Sequence, residues 1–437
     1  METSMLTDSA HPTAKIIFVC VGLFAFLDAV PMARGEEITP DTVLDYSIRL
    51  VQETIQQKPD APEPYFALGY VYYRASRYED ALNTFLKGLS IKPNQPDIVQ
   101  MAAFLYARLN QDEKAVEWYK NTLALEPDAP SANERLGLSL QKLNRMEEAT
   151  QAFERELQYH PDNASTHVYL AERYLSGNRL EDAIRHAEEA QKYDVRYPEP
   201  YYLLSRVYLK QGDQEKANAM LKIFQQKKDE ERAFYDALPQ PTDQERALQA
   251  AVTTHIDVGT LWYRFRQDAK SISHFLKALN LDPKNEKARY LLAGVYTERK
   301  ESDKAAGLFR ELLAMNPNDP RYSLGLGLLL ADQKRWSEAQ GCLEKTLTLS
   351  PNETPAQVAL ARVLINSNQD LPRAARLMES AIQKESTAEN YDWLSFAYYV
   401  NGRLPESVEA MRTAMTLDPA NRTYQARYEK LLSKMNQ

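Results

Sequence analysis

The chain has 437 residues, 44% of them hydrophobic, with 53 Lys and Arg set against 61 Asp and Glu. That hydrophobic content excludes a largely disordered polypeptide, and a formal net charge of −8 argues against a nucleic-acid protein, which carries a basic footprint. Only Cys20 and Cys342 are present, so loss of the N-terminus would leave no intrachain disulfide.

The first element in chain order is an apolar run at residues 16–30, IIFVCVGLFAFLDAV, which follows Lys15. Small residues come soon after it, so residues 1–35 read as a secretory signal peptide cut after Ala33 or Gly35, or as a retained single-span membrane anchor. Asp28 and Pro31 leave it short of the roughly 20 apolar residues of a full span. Glu2 and Asp8 are unusual for a signal, and a cytosolic protein is the third reading. Either of the first two places the rest of the chain outside the cytosol, as a periplasmic or otherwise extracytoplasmic protein.

Thr39 then caps a helix that starts at Pro40, runs to about residue 58 and reads as a lone second helix without a first-helix partner. From there prolines recur at Pro59, Pro93, Pro127 and Pro161, each 34 residues after the last, again at Pro283, Pro317 and Pro351, and two steps later at Pro419. A fixed period of this length marks a stack of similar units. With proline at position 32, the first full unit starts at Pro62 and carries Tyr65, Leu68, Gly69, Tyr72, Ala81, Phe85 and Gly88 at positions 4, 7, 8, 11, 20, 24 and 27. Apolar residues at this spacing give a first helix with one buried stripe. Small residues at positions 8 and 20 let a second, antiparallel helix approach, and the proline ends it. Position 20 recurs as Ala115, Ala149, Ala183, Ala217, Ala305 and Ala339, and as Ser271 and Ser407.

The regularity breaks in four places. Val195 replaces one proline, and Asp229 replaces the next, so that a second helix runs on into 225–232. Between Asp229 and Asp257 a charged segment with Pro239 and Pro241 makes a turn that restarts at Thr242 or Asp243. The ninth unit fits with one residue inserted before Ala374, and residues 421–436 form a capping helix. The units group into blocks 40–238 and 242–437, or form one continuous stack with a distorted joint.

This pattern resembles the tetratricopeptide repeat (TPR) family over residues 40–437. The resemblance implies an all-α fold: a right-handed superhelical solenoid of about ten TPR-like helix–turn–helix repeats with a C-terminal capping helix. Catalytic constellations are not found. The six histidines show no metal spacing and no phosphate-binding glycine loop is present, so no catalytic residue, cofactor or metal is expected. Cys342 reads as a small core residue. The sequons at Asn163, Asn352 and Asn421 fall where asparagine suits an inter-repeat turn.

In TPR proteins the first helices line a concave groove, with positions 2, 5, 9, 12 and 13 facing the ligand. Carried onto this chain, they give Phe66, Tyr70, Tyr73, Arg74, Phe104, Arg108, Lys142, Tyr202, Arg206 and Lys210 as a partner-binding groove. Gln141, Tyr263, Arg264, Asp392, Phe396 and Tyr399 occupy the same positions. Aromatic residues beside arginine have the composition of a protein-binding hot spot; the alternative is that the tyrosines pack between repeats. The expected function is a non-enzymatic scaffold or adaptor that binds a protein or peptide, in assembly or secretion at the cell envelope. A glycan-binding module of a polysaccharide-export machine is the alternative. Nucleic acid is not an expected partner, a membrane tether through the N-terminal segment is expected only if that segment is retained as an anchor, and self-association stays open.

Overall fold

The computed structural model describes residues 39–435. The expected leader or anchor at 1–35, with Cys20, lies outside the described residues. Among the described residues all regular structure is helical, in 22 helices. None is long and apolar enough to cross a membrane. The chain divides into two compact units between Leu261 and Trp262, about 20 residues past the proline-bearing turn where the sequence suggests a boundary.

The first unit opens with α1 (Pro40–Gln57), followed by five helix pairs. These are α2 (Pro62–Arg74) with α3 (Tyr78–Ile91), α4 (Pro96–Arg108) with α5 (Asp112–Leu125), and α6 (Ala132–Lys142) with α7 (Met146–Tyr159). Then come α8 (Ala164–Ser176) with α9 (Leu180–Tyr193) and α10 (Glu199–Lys210) with α11 (Gln214–Ala237). The unit closes with α12 (Asp243–Arg264) as far as Leu261. The second unit holds the end of α12 and α13 (Asp268–Leu281), then α14 (Glu286–Glu298) with α15 (Ser302–Met315). It continues with α16 (Pro320–Asp332) and α17 (Trp336–Leu349), α18 (Thr354–Asn366) and α19 (Leu371–Ile382), α20 (Ala388–Val400) and α21 (Leu404–Leu417), and the cap α22 (Arg422–Met435).

Helix starts follow the expected chemistry. Thr39 and Thr42 form a reciprocal capping box at α1. Thr242 and Glu245 do the same for α12, each accepting from the other's backbone N–H, at 3.1 and 2.7 Å. The helix expected to run on past the fifth unit does so, as the 24-residue α11. The extra residue of the ninth unit is absorbed in the turn before α19, where Asp370 takes φ 35° and its side chain accepts from Arg373 N.

A second periodicity lies in the backbone. Ser76, Asn110, Asn144, Asn178, Gly212, Arg266, Lys300, Lys334, Asn368 and Gly402 all have φ between 54° and 81°. Each is position 15 of its unit, so one left-handed residue reverses the chain between the two helices of all ten units. Glycine and asparagine suit that conformation; serine, arginine and lysine do not.

Packing explains the small residues. A Cβ built on Gly69 would lie 2.6 Å from Phe85 Cε1, and one on Gly137 would lie 2.5 Å from Phe153 Cε1. Both phenylalanines are fully buried. Cys342 packs half-buried on the core of the second unit, where burial pushes its thiol pKa up. First helices of neighbouring pairs also touch: α4 with α6 and α8 with α10 in one unit, α16 with α18 and α18 with α20 in the other. They share one face.

In the first unit α1 is not a lone helix. Thr254 Oγ1 of α12 donates to Ser47 Oγ at 3.0 Å, and Tyr46 Oη lies 3.4 Å from His255 Nε2 in the buried interface. Burial, the largest influence, pushes the Tyr46 pKa up to about 12. Ser47 is position 20 of an incomplete unit before Pro62, and α12 supplies the helix that packs on it.

Candidate functional site

The first-helix face of α2, α4 and α6 holds a pocket of about 340 Å³. Its walls are Tyr70 and Tyr73 from α2, Phe104 and Met101 from α4, and Arg135 from α6, with Asp97 and Gln100 at the rim. Tyr73 meets Phe104 edge-on at 5.9 Å between ring centroids, and Tyr70 meets the buried Phe85 edge-on at 5.0 Å. These offset geometries suit the aromatic quadrupole and fix the rings while leaving each half-buried. The Arg135 guanidinium stacks on the outer face of Phe104 at 4.9 Å. Gln100 Nε2 donates to Pro130 O at 2.8 Å, which ties α4 to the loop before α6. Partial burial raises the Tyr70 pKa, with Asp97 adding to the effect, so its hydroxyl is a neutral donor at physiological pH. The pocket lining therefore offers flat apolar walls, two tyrosine hydroxyls, one carboxylate, one amide and one guanidinium.

Three of the residues named from sequence, Tyr70, Tyr73 and Phe104, converge here. The others do not. Phe66 turns toward the second helix, its ring lying over Gly88. The four cations at position 13 of the first unit face their own protein. Arg74 pairs with Asp257 of α12 at 3.3 Å. Arg108 lies over the Tyr78 ring at 5.3 Å and donates to its hydroxyl. Lys142 pairs with Asp112 at 3.4 Å, and Lys210 Nζ donates to Leu175 O at 3.1 Å. Arg206, at position 9, lies 3.9 Å from Glu172 and over the Tyr202 ring at 5.7 Å. Tyr202 packs on Phe224. These groups stay on the surface, but each also ties neighbouring elements together.

Arg135 escapes the positional rule, because it sits at position 6, outside the set that the family resemblance supplies. The sequence also gives no sign of two polar clusters. Glu156, 1% exposed, accepts from Ser131 N at 3.2 Å and Glu134 N at 3.3 Å, closing the start of α6. His167 and His186 face each other with Nδ1 atoms 2.9 Å apart. His167 Nε2 lies 3.1 Å from Pro161 O. A carbonyl only accepts, so Nε2 carries the His167 proton and His186 Nδ1–H donates to His167 Nδ1. Burial lowers both pKa values, that of His186 to about 4. Among the described residues no three His, Cys, Asp or Glu side chains gather where they could hold a metal ion.

Sequence models of the tetratricopeptide repeat match residues 45–96, 101–164, 169–223 and 267–329, together more than half of the chain. No curated protein sequence matches. Solved structures that resemble parts of the chain include YrrB, described as a TPR protein with an unusual peptide-binding site: TM-score 0.37, 18% identity, covering 40% of this chain and 91% of that one. TTC0263, a TPR protein of Thermus thermophilus, gives TM-score 0.33 at 20% identity over 42% of this chain and 99% of that one. Yeast Tom70 gives 0.35 at 14% identity over 85% and 96%. Overlays this loose carry no argument; the sequence models, the ten helix pairs and their periodic turns do. The chain belongs to the tetratricopeptide-repeat family.

Proposed function

We propose that the protein is a non-enzymatic scaffold that holds an extended segment of a protein partner on the first-helix face of α2, α4 and α6. The observation that carries this reading is the set of three half-buried rings, Tyr70, Tyr73 and Phe104, kept out of the core beside Arg135. Aromatic and arginine side chains dominate binding energy at protein interfaces. Asp97 at the rim and Arg135 in the wall supply opposite charges, so a peptide with an apolar side chain flanked by polar backbone fits the pocket. We further propose that it works in assembly or secretion at the cell envelope, a reading supported by the apolar run at 16–30 behind Lys15.

The flat rings also favour one alternative, a sugar ring stacked on Tyr73 and Phe104 in a polysaccharide-export machine. The test is a screen of peptide and glycan arrays with the purified protein beside the Tyr73→Ala/Phe104→Ala double variant and Arg135→Ala. Peptide binding that falls at least tenfold in both variants supports the scaffold. Glycan binding lost in the double variant but kept in Arg135→Ala supports the alternative. Binding unchanged in all three proteins removes the site from this face.

A further inference from the structure

In a stack of helix pairs, each pair offers its far side to the first helix of the next. The fifth unit breaks this rule. Position 24 is at most 6% exposed in the other nine units, from Phe85 to Met411, but Leu221, the same position of the fifth, is 47% exposed. Elsewhere position 24 is covered by position 6 of the following first helix. Phe153 stacks on Tyr169 at 5.3 Å, and Phe309 lies against Gly325, where a Cβ would come within 2.5 Å of the ring. The residue due to cover Leu221 is Asp257 of α12. It pairs with Arg74 at 3.3 Å instead, because α12 lies against α1. The far side of α10 and α11 is therefore left in water, and Tyr202 and Leu209 of α10 are exposed as well.

The run-on of α11 extends this surface. Of its 24 residues only Ala217 is buried. Past residue 225 the helix is held by bonds within itself, Gln225 to Asp229 at 3.1 Å, Gln226 to Glu230 at 2.9 Å and Lys227 to Glu230 at 3.1 Å. Such pairs support a helix but leave its apolar side chains in water, and Phe234 and Tyr235 are both exposed. Leu221 and Tyr235 are fourteen residues apart, two heptads, so they lie on one stripe. Charge divides along the same helix. Residues 214–228 hold four lysines and one glutamate, whereas residues 229–237 hold four acids and one arginine. The acidic end opposes the helix dipole, so this order does not serve the helix itself. It is self-complementary: an antiparallel second copy lays each basic half on the other's acidic half and brings Leu221 opposite Tyr235.

We infer that this face is an interface between two copies of the chain, related by a two-fold axis near Lys228. Each α11 runs antiparallel to that of the other copy, with Leu221 against Tyr235 and the charge blocks matched in both directions. Lys228 at the axis is already tied to Glu199 and Glu231 of its own chain, at 3.1 and 3.0 Å. A two-fold contact uses one patch twice and must be complementary to itself, as this helix is. The second copy gives the fifth unit the cover that a following first helix gives the others.

The test is sedimentation equilibrium of the full-length protein, where a reversible dimer is expected. Leu221→Asp, on the open face, and Tyr235→Ser, beyond the body of the repeat, should each weaken it by about tenfold or more. Leu349→Asp, which charges a side chain 38% exposed on α17, should not. Orientation is read by cysteine cross-linking. Gln225→Cys and Arg232→Cys lie about equally far from the axis on opposite sides, so a mixture of the two variants should cross-link well above either variant alone. A chain that stays monomeric overturns the inference and leaves the face to a helix of another protein. A dimer that both α11 substitutions leave intact also overturns it, as does cross-linking as strong in each cysteine variant alone as in the mixture. The array screen on α2, α4 and α6 reads peptide or glycan binding rather than mass, so failure of either reading leaves the other standing.

Discussion

Replacing Gly69 with alanine tests the close approach on which each helix pair depends. The new Cβ would sit 2.6, 2.7 and 2.8 Å from Phe85 Cε1, Cδ1 and Cζ. Phe85 is fully buried and Tyr70 abuts it at 5.0 Å, so the ring has nowhere to retreat. Two effects oppose each other. Alanine favours a helix over glycine by about 1 kcal/mol, while overpacking a closed core costs about 1–3 kcal/mol. Gly341, in the middle of α17, has nothing within 4 Å of its built Cβ. Gly341→Ala should therefore return the propensity gain alone, a stabilisation of up to about 1 kcal/mol. Subtracting one variant from the other cancels propensity and leaves the overpacking cost, about 1–3 kcal/mol. A repeat array need not unfold as one two-state body, so the readout is native-state hydrogen exchange at α2 and α3 for one variant and α17 for the other. Adding Phe85→Leu should rescue Gly69→Ala in part, because the smaller side chain gives the methyl room. Additivity of the two changes within about 0.5 kcal/mol would mean that they do not share one packed site, and the reasoning would fail.

Three further outcomes are expected. Lys300→Gly and Lys334→Gly relieve left-handed strain at φ 59° and 60°. Each should stabilise its repeat by roughly 1 kcal/mol, the strain relief of about 1–2 kcal/mol less the entropy of a freer unfolded chain, read as a shift in urea midpoint. Glu156→Leu strands the Ser131 and Glu134 N–H groups and should destabilise α6 and α7 by about 1–3 kcal/mol; Glu156→Gln, which keeps an acceptor, should cost less. For His167 and His186 the folded pKa values lie below the unfolded value of 6.5, that of His186 near 4. The unfolded state therefore binds more protons between those limits, so the stability of α8 and α9 is full above about pH 6.5 and declines as pH falls toward 4. Thermal melts at pH 5 and 7.5 should differ, and His186→Leu should shrink the difference.

The fold was legible because its determinants are local and repeat. Proline ends each second helix, the small residues at positions 8 and 20 mark the close approach, and Thr39 announces the first cap. The insertion before Ala374 could be located for the same reason, since a helix keeps its phase and only a turn can take the extra residue. The turn signal at position 15 was also present, in Asn110, Asn144, Asn178, Gly212, Asn368 and Gly402. It is masked where Ser76, Arg266, Lys300 and Lys334 hold the same backbone without the residue type that favours it.

The site was legible in part. Tyr70, Tyr73 and Phe104 follow from the positions that the family resemblance supplies, which lie on the face that first helices share. Whether a cation on that face is available to a ligand depends on what stands opposite, and that partner comes from another repeat. Arg108 finds Tyr78 30 residues back, and Lys142 finds Asp112 at the same separation. Arg74 finds Asp257, 183 residues away, because α12 completes α1 and so comes within reach of α2. No period of 34 encodes that contact. The His167–His186 pair needs two helices in register, and Arg135 reaches the pocket only because α6 lies beside α4.

The same arrangement couples binding to stability in the first unit. Each position-13 cation is itself exposed, so that its tie is worth about 0–1 kcal/mol, and in a stacked array such ties act on the interface between neighbours. A peptide across Tyr70, Phe104 and Arg135 would touch α2, α4 and α6 at once, bridging two of those interfaces with contacts that the free protein lacks. Ligand bound only to the folded form stabilises it by mass action. Here the gain should appear as added hydrogen-exchange protection in α2 to α7, while α8 to α11 change less. Equal added protection along the whole unit would instead mean that the five pairs open together, and that the ligand reports on one cooperative body rather than on the interfaces it spans.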